Sequence, residues 1–344
     1  MTDAIRYALK LNIYGQELDT PFDLFVSLAR DAESAGFDGA FVVDHLFLPP
    51  ERYLGYTWSD VEKPYFLDAW SVLPALAQAT TTLRLGPQVS PITFRHPSLL
   101  AKAGMTVDRI SNGRLIMQLG TGWHEEEHVA YGVPWDPDIA RRADALEEAT
   151  QVMRGLWTTE GPFSFEGEHY QLREAPFWPK PVQQPAPPIW FGGASRRARR
   201  MAAAVGDGWS PAMPHGGVGP SVYAEGLDEI RRWAEEAGRD PASIEAGLLI
   251  TLAIGRTRDE AAERASVLSR RPDYAGLSLE EMVGKGSVIW GDPDDCLRGI
   301  EGYVSAGVRY FTFNFVPFGS PDAARQGIEL IARHVVPRLG AVTA

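Results

Sequence analysis

The sequence predicts a (β/α)8 barrel, and three observations carry that prediction. Eight apolar, strand-like runs recur along the 344 residues, separated by segments with helical periodicity. The runs are continuous rather than alternating, the pattern of parallel strands covered on both faces. The best-defined unit, LRLGPQVSPITFRHPSLLAKAGMTVDRISNGRLIMQLGTGW at 83–123, reads strand–helix–strand at the length of a parallel crossover. An open doubly wound sheet is the competing architecture, and eight parallel strands in a chain of this size favour the closed barrel.

The first strand is Tyr7 to Ile13. Thr20-Pro21-Phe22-Asp23 then opens a helix with Phe22, Phe25, Leu28, Ala32 and Ala35 on one face, ending at Gly36. Ala40 to Val43 is a buried strand that closes on Asp44-His45, and Leu83 to Leu85 is the third. In the next helix, Leu99, Leu100, Ala103, Val107 and Ile110 share a face. His96 is placed at its N-cap, Pro97 at the first helical position, and Asn112-Gly113 at the left-handed stop. The same grammar returns around Gly113 with strand Leu115 to Leu119, around Gly206 with a strand near Trp209, and around Gly307 with Tyr310 to Phe315. Ile189 to Phe191 and Leu248 to Ile254 complete the eight. Two segments fall outside the repeat. Residues 44–67 form a long aromatic loop, of the length that in compact domains is usually functional. Residues 158–188 hold a hairpin turning at Glu166-Gly167 and then PKPVQQPAPP, expected as a surface excursion within one domain spanning 1–344.

Composition narrows the function classes. Hydrophobic content of 44% and 23% charged residues are ordinary for a globular enzyme. The net charge of −12 argues against a nucleic-acid surface, so an anionic ligand must be held by local positive potential. No run reaches the roughly 20 apolar residues of a membrane span. The single cysteine, Cys296, and the absence of a signal-peptide layout predict a cytoplasmic protein.

Three motifs compete for the chemistry. His124-Glu125-Glu126-Glu127-His128 satisfies H-E-x-x-H, the zinc-hydrolase spacing, but it follows Gly120-Thr121-Gly122 directly and no third ligand follows. It is expected to be the solvated acidic first turn of a helix ending at Gly132, with no metal. Asp44-His45 ends a strand where a barrel places its mouth, and histidine moves protons near neutral pH. Its structural alternative is a cap followed by a packing histidine. Ile189-Trp190-Phe191-Gly192-Gly193-Ala194-Ser195-Arg196-Arg197 offers glycines for close backbone approach at a helix start. Arg196, Arg197, Arg199 and Arg200 there oppose the helix dipole, a conflict that an anionic ligand would resolve.

Taken in order, FVVDH, LGPQVSPITFRHPSLLAKAGMTVDRISNGRL, LGTGWHEEE, the Ala143 to Trp157 helix, FEGEHY, PPIWFGGAS and VGDGW resemble the bacterial luciferase-like oxidoreductases over nearly the whole chain. The pattern is most similar to the branch using the deazaflavin coenzyme F420, with the FMN-dependent monooxygenases next. Five lysines against 28 arginines fit that association with GC-rich genomes. The resemblance implies a homodimer and hydride transfer between coenzyme and an organic substrate, with His45 catalytic. It implies cofactor contacts from Asp44, His45, Gln88, Val89, Thr121, Gly122, Glu126, Gly192, Gly193, Ser195 and Arg196, and a non-prolyl cis peptide at Gln88-Val89. A flavin monooxygenase fed by a separate reductase, a non-catalytic cofactor-binding protein and the zinc hydrolase are the alternatives.

The chain departs from the sugar-phosphate dehydrogenases of that family. Trp123 stands where they carry a glutamate after Gly-x-Gly, and Pro49 where they carry a tryptophan after the Asp-His pair. Trp58, Trp123 and Trp209 are therefore expected to line a pocket for an apolar or aromatic substrate. The bland alternative is that these aromatics pack loops onto the barrel.

Overall fold

A computed structural model of the chain describes residues 4–12, 21–48, 66–212, 218–271, 274–318 and 320–339. The strands are β1 (Arg6–Leu11), β2 (Gly39–Val42), β3 (Arg84–Pro87), β4 (Ser90–Pro91), β5 (Met117–Gly120), β8 (Ile189–Phe191), β9 (Gly208–Trp209), β10 (Glu245–Ile254) and β12 (Tyr310–Phe315). They pair in parallel in the order β3-β2-β1-β12-β10-β9-β8-β5-β4. β3 and β4 are two halves of one stave, interrupted by the cis peptide between Gln88 and Val89. The ring closes where Leu85 N–H donates to Arg114 O at 2.9 Å and Ile116 N–H to Leu85 O at 2.8 Å. Eight staves result, as the sequence predicts. A further strand beyond the eight the sequence predicts, β11 (Ile289–Gly291), pairs with the C-terminal end of β10.

Alternation along each stave sorts the side chains into two shells. Ala8, Phe41, Ile116, Trp190 and Tyr310 pack together inside the ring, with Trp190 edge-on to Tyr310 at 5.1 Å. Leu9, Leu85, Ile189, Phe311 and Phe313 belong to the larger core between strands and helices. Lys10 follows Ala8 by two residues and so shares its inward face. Burial pulls its ammonium from 10.5 down to about 8.

That shift fixes a pH signature. Below pH 8 the lysine is charged in both folded and unfolded chains, and the folded one bears the full dehydration cost. Between 8 and 10.5 it is neutral only when folded, so the cost fades as pH rises. Lys10→Met is therefore expected to raise the melting temperature by several degrees at pH 7 and by less at pH 10. An equal gain at both pH values in a thermal melt would contradict this.

The helices that cover the ring are mostly capped as the sequence suggests. α1 (Pro21–Ser34) is followed by Gly36 at φ 83°, and buries Phe25, Leu28, Ala29 and Ala32. Phe22 was expected inward but is exposed at the edge of the stripe, and Thr20 lies outside the described residues. α2 (Ala69–Ala79) is capped by Asp68, whose carboxylate accepts from Ser71 N–H at 2.8 Å. α3 (Pro97–Ile110) starts at His96, whose Nδ1 accepts from Ser98 N–H at 3.2 Å, and stops at Asn112 and Gly113 with φ 55° and 83°. Its buried stripe runs through Leu100, Gly104 and Val107, so Leu99, one position off, is exposed.

After α4 (Glu125–Tyr131) and α5 (Ile139–Thr158) comes the expected hairpin, β6 (Phe163–Glu166) against β7 (Gln171–Ala175). The proline-rich run that follows is tied to α3 by buried Asp108, which accepts from Val182 N–H at 2.7 Å and Gln183 N–H at 3.1 Å. The remaining helices are α6 (Arg196–Val205), α7 (Pro220–Glu236), α8 (Arg258–Ala265), α9 (Leu279–Gly284), α10 (Pro293–Ser305), α11 (Pro321–Leu330) and α12 (Val336–Leu339). Gly206 ends α6 at φ −86°, not in the left-handed region expected of it. What it supplies is room, since a Cβ there would lie 2.9 Å from Phe191 and from the Ala202 backbone.

Candidate active site

Asp44-His45, Gln88-Val89, Thr121-Gly122-Trp123 and Gly192-Gly193 all lie at or just beyond the C-terminal ends of their strands, the end where this architecture places chemistry. Asp44 is an anchor. Its buried carboxylate accepts from Ser90 Oγ at 2.6 Å and from Arg95 Nη1 at 2.8 Å, and Trp70 Nε1 donates to the same Ser90 oxygen at 3.2 Å. Burial raises the Asp44 carboxyl above its usual value, against the pull of Arg95 and Ser90. This network fixes the turn that presents His45.

His45 is held by Glu127, not by its neighbour Asp44. The Nδ1 of His45 lies 2.9 Å from Glu127 Oε1, while Glu127 Oε2 accepts the Leu46 N–H at 3.0 Å. The His45 side chain is 13% exposed and that of Glu127 is 1% exposed. Glu126, the expected cofactor contact, is instead 59% exposed, with Oε2 3.4 Å from His124 Nδ1. Three consecutive glutamates look alike in sequence. Helical phase distinguishes them, because α4 turns Glu127 and His128 toward the protein and leaves Glu125 and Glu126 outside. The first turn of α4 is thus acidic but only partly solvated.

The H-E-x-x-H match has a structural explanation. His128 is fully buried, with Nδ1 2.7 Å from His124 O and Nε2 2.7 Å from Thr93 Oγ1. Its ring sits between Phe94 at 4.7 Å and Trp135 at 4.6 Å. A neutral imidazole donating through Nδ1 and accepting through Nε2 has no lone pair left for a metal. No group of three His, Cys, Asp or Glu residues suited to a metal ion occurs among the described residues.

The floor of the site is built around Val89. A Cβ on Gly192 would lie 3.0 Å from Val89 Cγ1, and one on Gly120 would lie 3.0 Å from Val89 Cγ2. The two glycines therefore leave room for the valine. Beside it, Gln88 Nε2 donates to Thr312 Oγ1 at 3.3 Å, while buried Gln88 Oε1 has no partner among the described residues. The adjoining Gln118 is fully buried with neither amide atom paired among them. Thr121 is fixed by Arg142, whose Nε donates to its carbonyl at 3.2 Å, and Gly122 turns the chain at φ 75°.

The glycine loop opens α6. The Gly192 N–H is already used in the barrel ladder, donating to Leu119 O at 3.2 Å, so Gly192 contributes space rather than a donor. Gly193 adopts φ 90° and Ser195 caps the helix, its Oγ accepting from Ala198 N–H at 3.2 Å. Of the four arginines, Arg197 pairs with Asp144 and Arg199 with Glu229. Arg196 and Arg200 lie over the Trp233 ring, at 5.3 Å and 4.7 Å, with no carboxylate partner among the described residues. A helix start with open N–H groups and unneutralised guanidinium groups is suited to an anion.

The three tryptophans separate. Trp123 is 43% exposed and edge-on to His45 at 5.3 Å, so it borders the site. Trp209 does not. It shares the outward face of Phe191, stacks on Tyr223 at 4.8 Å and donates from Nε1 to Gly193 O at 2.9 Å. It braces the glycine loop from behind rather than lining a pocket, because the period of two points it at the helices. Trp58 and Pro49 lie outside the described residues, as does most of the aromatic loop.

Comparison with known proteins agrees with this fold. The family model for luciferase-like monooxygenases matches residues 11–310. An F420-dependent glucose-6-phosphate dehydrogenase of Amycolatopsis mediterranei (strain U-32) is 28% identical over 340 residues, covering 94% of this chain and 96% of that protein. A phthiodiolone/phenolphthiodiolone dimycocerosates ketoreductase of Mycobacterium bovis (strain BCG / Pasteur 1173P2) is 33% identical over 240 residues, covering 66% of this chain and 60% of that one. Among solved structures, an F420-dependent secondary alcohol dehydrogenase in complex with an F420-acetone adduct superposes with a TM-score of 0.80 at 23% identity, covering 98% of this chain and 99% of the other. With barrel, floor and helix start in the positions described and the match running across most of its length, the chain belongs to the luciferase-like monooxygenase family.

Proposed function

We propose that the protein is a coenzyme F420-dependent oxidoreductase acting on a small organic substrate of apolar or aromatic character. The observation that carries this is the gathering at one barrel end of a carboxylate-held histidine, a side-chain-cleared floor and an anion-suited helix start. Such a set suits a flat ring with a phosphate-bearing tail. The names of full-length relatives support the deazaflavin over FMN.

The residues present fit that group. The open helix start at Gly193, Ser195 and Arg196 would hold the phosphate, and Thr121, Gly122 and Val89 border the space for the ring. The unpaired amide oxygen of Gln88 is a hydrogen-bond acceptor for a ring edge. When bound, the deazaflavin supplies or accepts a hydride. The chain supplies position, exclusion of water and a proton-handling group at His45. Trp123 beside His45 favours an apolar partner over a sugar phosphate. The same reading makes the chain one domain from 1 to 344, a homodimer and cytoplasmic. No helix among the described residues is long and apolar enough to cross a membrane.

Purified protein titrated with F420 and with FMN, then assayed with and without oxygen, tests the proposal. Micromolar binding of F420 and oxygen-independent turnover are expected, within the range common for substrate sites. Binding of FMN alone with turnover that requires oxygen would establish the reductase-fed monooxygenase instead. Cofactor binding without reduction by any donor would leave a binding protein.

A further inference from the structure

We propose that Glu127 is the positioning residue for His45, setting which imidazole nitrogen carries the proton. The inference rests on the reading of His45 as the proton-handling group of the site. An ionised carboxylate only accepts hydrogen bonds. Glu127 Oε2 is already used by the Leu46 N–H at 3.0 Å, and Oε1 lies 2.9 Å from His45 Nδ1. The proton of a neutral His45 must therefore sit on Nδ1, which places the lone pair on Nε2. Nε2 has no hydrogen-bond partner among the described residues, and it is the nitrogen left to meet a substrate. A neutral ring can then take a proton at Nε2, and an imidazolium can return one from the same atom. In either direction the carboxylate keeps Nδ1 as the donor and prevents the ring from turning over.

The arrangement explains a cost that is otherwise hard to understand. A carboxylate that is 1% exposed on a seven-residue helix is expensive to bury, and a short turn of helix gives little in return. Its two acceptor atoms serve the two consecutive residues His45 and Leu46, which fixes the ring and the backbone that carries it. The Trp123 ring, with its centroid 5.3 Å from that of His45 and its plane at 78° to it, borders a third side.

Glu127→Gln is the sharpest test because it preserves shape while reversing polarity. The amide oxygen can still accept from Leu46 N–H, so its NH2 group is left facing Nδ1 and must donate to it. Nδ1 then becomes the acceptor and the proton moves to Nε2. Long-range nitrogen–proton NMR on the cofactor-free protein reads this directly. The parent is expected to show a pyrrole-type Nδ1 and pyridine-type Nε2 for His45, and the variant the reverse. In the loaded enzyme, kcat should fall at least about 100-fold with KM nearly unchanged. Adding His45→Ala to Glu127→Gln should cost little beyond His45→Ala alone, since both remove one function.

A parent spectrum with the proton on Nε2 would overturn the assignment, whether or not the variant folds. Fully additive losses in the double variant would make Glu127 structural. If His45→Ala retained turnover, the reading of His45 would fail, while the NMR result would still decide what Glu127 does to the ring.

Discussion

Replacing His45 with alanine is expected to lower turnover about 100- to 10,000-fold, the range that a positioned proton-transfer group contributes. Coenzyme affinity should change by only a small factor. The side chain is held by Glu127, and the backbone turn that presents it is held by the Asp44–Ser90–Arg95 network. Removing the ring therefore takes away the proton path without dismantling the loop. Stopped-flow measurement of coenzyme oxidation or reduction, alongside a binding titration, separates the two quantities. Unchanged turnover would make His45 a packing residue. A parallel loss of affinity and turnover would place its main role in holding the coenzyme.

Gly193→Val is expected to weaken coenzyme binding about 10- to 100-fold. Two effects act together. A branched side chain is strained at φ 90°, and relief of that strain turns the N–H groups at the start of α6 away from their common focus. Each charge-assisted hydrogen bond lost costs about 1.5–3 kcal/mol, and each 1.4 kcal/mol is tenfold in affinity. A Cβ at Gly193 would meet only Ala198 Cβ at 3.5 Å, an ordinary contact, so the fold itself should survive. The check is a binding titration together with a melting curve. Parental affinity in a folded variant would move the phosphate to another part of the barrel end.

The barrel was legible because apolar strand runs and glycine-stopped helices are local signals, and each of the eight staves carries one. What sequence missed were features of phase and partnership. Leu99 and Leu100 are both apolar, and only the docked position of α3 shows that the stripe passes through Leu100. Trp209 is expected in the pocket from sequence as one of three aromatics suited to an apolar substrate. Its register with Phe191 shows that it faces the helices, and the alternation of two adjacent strands could have shown this. β11 is an addition outside the eightfold repeat, paired with the end of β10, so the repeat gives no reason to expect it.

At the site, the glycine loop was legible because an arginine-rich helix start contradicts its own dipole. The role of Glu127 was not, because its partner is 82 residues away in sequence. Glu126 and Glu127 differ only in which side of a short helix they occupy. The Gly192 N–H shows the same limit, since a residue placed at an anion loop can have its donor already used by the sheet.

The seating of Val89 between Gly120 and Gly192 has a consequence for anyone who would reshape this enzyme. Three residues on three different staves occupy one volume, so none of them can be altered as an independent variable. Adding a methyl group at either glycine moves the valine, and the valine moves the floor beneath the reacting groups. Shortening Val89 frees the space that both glycines now leave to it. A library that varies these positions one at a time will mostly sample collisions and cavities, whereas one that varies them as a set can exchange volume among them at constant packing.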